Sequence, residues 1–150
     1  MAILVNALVI AVVVLMHYEA LRQLYTRIPR LPVPRRVHVL VAVFGALIAH
    51  FLEICVFALG LRWHIQTDGM GSLVGFEHAG SENASLVDCI YFSFVNYTSL
   101  GYGEIVPVGP VRFLCGIEGL VGLVMIGWTA SFIYIEMTRF WREPAENILP

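Results

Sequence analysis

The sequence predicts an all-α membrane protein, and three observations predict it. Of its 150 residues, 59% are hydrophobic and only 13% are charged, too apolar a balance for an ordinary soluble domain of that length. Three stretches are long enough to cross about 30 Å of hydrocarbon at about 1.5 Å per helical residue. A fourth apolar run, between the second and third, is too short to cross and is tolerated at membrane depth only if protein surrounds it. The expected architecture is three membrane helices plus one re-entrant helix.

The formal net charge of −2, the absence of lysine and the scatter of the nine arginines argue against a nucleic-acid partner. Cys55, Cys89 and Cys115 are odd in number, lack metal-site spacing and lie in or beside apolar segments, so they read as packing residues.

Taken in order, residues 1–25 form the first membrane helix. It begins without a basic leader and no small-x-small cleavage site follows, so it is expected to stay in the membrane. Its purely apolar part ends near Met16, and His17-Tyr18-Glu19 is polar enough to be placed at an interface. Residues 26–36 form a linker: between Arg22 and Arg36 lie five arginines and three prolines, which break any helix. Short arginine-rich loops stay cytoplasmic, so the N-terminus is expected outside and the C-terminus, with Arg139 and Arg142, inside. The arginines read as solvated, with anionic lipid headgroups as the rival partner.

The second helix covers 37–63, and 64–84 is a polar, glycine-rich external loop. His64, Asp68, Glu77, His78 and Glu82 read as solvated side chains in preference to a metal site. Asn83-Ala84-Ser85 matches a glycosylation acceptor, a tripeptide too common to carry weight. Ser85-Leu-Val-Asp88 has capping-box spacing and opens the short helix, 85–98. The third membrane helix covers 111–141, followed by a tail, 142–150.

Between the short helix and the third span runs Thr98-Ser99-Leu100-Gly101-Tyr102-Gly103-Glu104, then Pro107. Two glycines separated by one residue let the backbone take positive φ at alternate positions, so that successive carbonyl oxygens face one axis. A ring of such strands can replace the water shell of a dehydrated cation, and the carbonyl end of the preceding short helix adds negative potential there. G-x-G alone is weak; the order of outward helix, loop, capped short helix, G-Y-G, proline and inward helix is specific.

In that order, residues 37–141 resemble the outer helix, pore helix, filter and inner helix of the two-transmembrane, pore-loop potassium channel family, whose filter reads T-V-G-Y-G. The resemblance covers about two-thirds of the chain. It implies that Ser99 supplies a hydroxyl and a carbonyl, that Leu100, Gly101 and Tyr102 supply carbonyls to K+, and that Gly103 lets the strand leave the axis. It further implies filter support from Thr98, from Glu104 bonded to Tyr91 or Phe92 of the pore helix, and from Glu118 of the inner helix, and a gating hinge at Gly122. Only Tyr91 has a hydroxyl to offer Glu104. Ser99 stands for the family's threonine and Leu100 for its valine, which keeps the ligands and removes β-branched stiffness. Because one chain supplies one filter strand, a homotetramer in the cell membrane is implied, with K+ as permeant ion, lipids around it and no cofactor. The helix 1–25 is extra to the two-helix plan.

His50-Phe-Leu-Glu53 places an imidazole and a carboxylate on one helix face, as a metal or proton-relay site would, and a mutually satisfied pair is the plainer reading. A membrane metalloenzyme would want more ligands, and His17, His38 and His64 are expected near the two surfaces. The other rivals are a weakly selective cation channel and a non-conducting subunit on the same scaffold. Gly116 and Gly119 read as packing glycines, Trp141 as an interfacial anchor, and Trp128 as facing lipid or a neighbour.

Overall fold

The structure, a computed structural model, describes residues 2–75 and 84–141. The expectations for Glu77, His78, Glu82 and Asn83, and for the tail 142–150 with Arg142, lie outside the described residues. Within them run α1 (Ala2–Arg27), a 3₁₀ turn (Ile28–Arg30), α2 (Arg35–Ile65), β1 (Ser72–Val74), α3 (Leu86–Tyr97), β2 (Val106–Val108) and α4 (Arg112–Trp141). α1 with its turn, α2 and α4 are long and apolar enough to cross a membrane, whereas α3 is a shorter apolar helix. At about 1.5 Å per residue, α3 rises only about 18 Å.

α1 runs on through His17-Tyr18-Glu19 to Arg27, and each of these three side chains has a neighbour within the protein. His17 is fully buried and bonded to Glu53 of α2, Tyr18 lies against Trp128, and Glu19 is held by Arg22 and Gln23 one turn on. The prolines act as expected on the linker: Pro29 sits in the 3₁₀ turn and Pro34 directly precedes α2.

Three apolar clusters join the helices. Leu21, Ile28, Ala42 and Phe132 tie α1, its turn, α2 and α4 at one end. In the middle, Val9, Val13, Ile54, Phe57, Tyr97, Leu114 and Met125 bring all four helices together. At the other end Leu61, Leu73, Phe92, Val111, Cys89 and Cys115 pack α2, β1, α3 and α4. Cys89 and Cys115 are thus packing residues, and Cys55 is half-buried.

One short ladder joins the expected helical architecture. β1 pairs antiparallel with β2, Leu73 opposite Pro107, and the Val111 amide donates to the Met70 carbonyl at 2.9 Å. Three-residue strands are too short to show alternation in sequence. Gly71 and Gly75 at its borders both have positive φ, 106° and 107°. They bring β1 so close that an added Cβ would press on the Val108 and Glu104 carbonyls.

Candidate functional site

The site begins at the cap of α3. Ser85 Oγ accepts from the Asp88 amide at 3.2 Å and Asp88 Oδ2 accepts from the Ser85 amide at 2.8 Å, a reciprocal capping box. At the far end the Ser99 amide donates to the Asn96 carbonyl at 2.9 Å and the Leu100 amide to the Val95 carbonyl at 3.0 Å, with Ser99 at φ 57°. This is a Schellman closure with serine where glycine is usual. Gly101 and Gly103 follow at φ 58° and 80°. Positive φ therefore recurs at 99, 101 and 103, beginning two residues earlier than the glycines alone indicate. Leu100 and Tyr102 between them are 58% and 63% exposed, unpacked by their own chain.

The groups around this strand are held from both sides. Tyr91 Oη donates to Glu104 Oε1 at 3.1 Å, while Phe92 is buried in the core without a polar role. Thr98 Oγ1 turns back to the Phe94 carbonyl at 2.8 Å, which places its hydroxyl on the helix end. Glu118 of α4 is buried and accepts from Asn96 Nδ2 at 2.7 Å, and the same amide donates to the Cys115 carbonyl at 2.8 Å. Asn96 is thus the pivot between α3 and α4. At Gly122 an added Cβ would collide with the carbonyl group of Tyr97, so α4 crosses the end of α3 at backbone contact there. Gly119 faces the Asn96 carbonyl at an ordinary 3.5 Å, and Gly116 meets nothing within 4 Å. The closest approach falls at 122, not at the two glycines expected to pack.

Behind the end of α3 lies a polar cluster. His17 Nδ1 is 2.9 Å from Glu53 Oε1, and Tyr97 Oη donates to Glu53 Oε2 at 2.6 Å. His50 bridges Tyr97 Oη and Thr129 Oγ1, each at 2.9 Å, and Thr129 Oγ1 is 3.4 Å from His17 Nε2. Glu53 and His17 are fully buried. His50 and Glu53 are therefore not a self-contained pair, and His17 is buried among the helices as a third member. The ligand-type atoms of His17, His50 and Glu53 lie within 4.8 Å of one another, but hydrogen bonds account for each of them.

Four of these residues escaped the sequence reading: Asn96, Tyr97, His17 and Thr129. A lone amide beside a tyrosine in an apolar run, and a buried carboxylate in want of donors, were the available signals. His64 and His38 end up buried too, His38 stacked on Phe140 with centroids 4.5 Å apart.

Two known proteins are similar to parts of this chain. One is the inward rectifier potassium channel Kirbac3.1 of Paramagnetospirillum magnetotacticum, 37% identical over 62 residues, which are 39% of this chain and 21% of that protein. The other is Protein LctB of Geobacillus stearothermophilus, 31% identical over 87 residues, 58% of this chain and 61% of that protein. The matched regions thus span about a fifth and about three-fifths of these relatives. No solved structure matches the chain. Residues 36–139 match the family of ion channels described by the Ion_trans_2 model, a stretch that holds the capped α3, the G-Y-G strand and all but the outermost residues of α2 and α4, and the chain belongs to that two-transmembrane channel family.

Proposed function

We propose that this chain is one subunit of a fourfold potassium channel whose filter is Ser99-Leu100-Gly101-Tyr102-Gly103. The observation that carries the reading is the recurrence of positive φ at 99, 101 and 103 directly after the capped end of α3. In that alternation successive carbonyls turn toward one side of the strand, the arrangement a dehydrated cation requires. One strand cannot enclose an ion, and the exposure of Leu100 and Tyr102 supports neighbours that cover them. The name of one relative, an inward rectifier potassium channel, supports K+ as the permeant ion. Residues 37–141 are the pore domain in this reading, and 1–25 is an accessory helix.

The decisive test is purified protein in liposomes under opposed K+ and Na+ gradients. Potassium flux over a small sodium flux is expected. Equal fluxes would favour the second reading, a weakly selective cation pore, for which Ser99 and the unpacked Leu100 speak. Flux of neither ion would overturn conduction by this chain alone.

The arginine-rich linker at 22–36 supports an external N-terminus and a cytoplasmic C-terminus in the cell membrane. Exposed apolar residues such as Leu8, Leu15, Phe44 and Leu47 leave the helices a surface for lipid. Ala2→Cys, with the three native cysteines replaced, is expected to react with an impermeant thiol reagent on intact cells. Labelling only after permeabilisation would reverse the topology.

A further inference from the structure

The cluster of His17, His50, Glu53, Tyr97 and Thr129 is made by one residue or more from each of the four helices. Its hydrogen bonds can be counted against its protons. The contacts are five: His17–Glu53, Tyr97–Glu53, His50–Tyr97, His50–Thr129 and His17–Thr129. An ionised Glu53 with two neutral imidazoles leaves one N–H on each histidine and one O–H each on Tyr97 and Thr129, four donors for those five contacts. That state is also net negative in an apolar interior, which is unfavourable. One more proton supplies the fifth donor and makes the cluster neutral, whether it rests as an imidazolium or as the carboxylic acid.

We propose that this cluster is a binding site for one shared proton, through which α1 positions the end of α3 that leads into the filter. The facing groups support it from every side. Glu53 has ion-pair geometry with His17 at 2.9 Å and His50 at 3.3 Å. Trp128 of α4 lies against the His17 ring at 5.4 Å between centroids, and Glu118, held by Asn96, is a carboxylate beside the end of α3. Tyr97 is the last residue of α3 and stands two before Ser99. Its carbonyl side abuts Gly122, and its hydroxyl is the only tie from the pore helix to α1 through Glu53 and His17 among these contacts. Losing the proton leaves one contact without a donor and a buried charge without a counter-charge, so the hold on Tyr97 weakens. The accessory helix is therefore part of the positioning apparatus of the conduction strand.

The consequence for conduction rests on the proposed filter, so the test has two arms. In lipid bilayers, nitrogen NMR of the histidine rings together with carbon NMR of the Glu53 carboxyl reads the proton directly at neutral pH. One doubly protonated ring of the pair, or a protonated Glu53, is expected; two singly protonated rings beside an ionised Glu53 would overturn the proton site, whatever the chain conducts. In liposomes, the K+/Na+ flux ratio is expected to be about tenfold lower at a pH where NMR shows the proton gone than at one where it shows the proton held, the equivalent of one buried hydrogen bond. Glu53→Gln supplies a neutral side chain with its own N–H donors, and its flux ratio should show no step over that pH range. Tyr97→Phe keeps the packing and cuts the tie, and it should show the lowered ratio at every pH. Parent and Glu53→Gln tracking each other at all pH values would overturn the coupling. Absence of any K+ flux from the parent would strike the proposed function and leave the NMR result to stand by itself.

Discussion

Gly101→Ala is expected to abolish potassium flux while leaving membrane insertion intact. Gly101 has φ 58°, and no atom of its own chain lies within 4 Å of an added Cβ. The penalty is therefore one of conformation, not collision. A Cβ disfavours the left-handed region by about 1–2 kcal/mol per chain, and in the proposed ring of four copies that cost is carried together. The strand is expected to relax toward negative φ, turning a carbonyl away from the axis. The spans that decide insertion are unchanged. Ser99→Ala is expected to be milder: it removes a hydroxyl and leaves every carbonyl, so the pore should conduct with lower discrimination. Flux in liposomes and a membrane-fraction assay read both variants. A Gly101→Ala channel that conducts potassium like the parent would refute the filter assignment.

Gly122→Ala is expected to destabilise the assembled protein and to lose selectivity with it. The new methyl group would meet the carbonyl oxygen and carbon of Tyr97, which are backbone atoms with little freedom to yield. Overpacking of this kind costs about 1–3 kcal/mol per chain, and here it pushes α4 off the end of α3. Gly116→Ala and Gly127→Ala, which meet nothing within 4 Å, should leave thermal stability in detergent close to that of the parent. The comparison also separates two roles for Gly122. A hinge would alter opening and leave the melting temperature alone, whereas a contact glycine lowers it.

The large features were legible because each has a strong local cause. Long apolar runs announce α1, α2 and α4, proline and arginine announce the linker, and Ser85 with Asp88 announces the start of α3. The G-Y-G pattern announces a backbone of unusual φ, though not that Ser99 shares it, since serine has no left-handed preference and the helix closure imposes the angle. What stayed hidden was tertiary. No period in α1 marks His17 as the partner of Glu53, because the pairing spans 36 residues and depends on how two helices cross. Asn96 looked like one polar residue in an apolar run until α4 brought Glu118 to it. The ladder was invisible because its strands are three residues long and its register comes from two glycines, not from alternation.

The pairing of β1 with β2 has a mechanical meaning. β1 hangs from the end of α2 by a short connection, and β2 begins three residues after Gly103. The two strands act as a clasp between the end of α2 and the segment after G-Y-G, with Glu104 close to Gly75 at one end and Val108 close to Gly71 at the other. A pull on the connection after α2 is delivered to Val106–Val108 through backbone hydrogen bonds, which are stiff along their length. From there the lever arm to the G-Y-G segment is only Glu104-Ile105, itself braced by Tyr91. Load applied to the loop is thus borne at the end of the proposed filter before it reaches α3 or α4, so the shortest lever in the chain lies beside its run of positive φ.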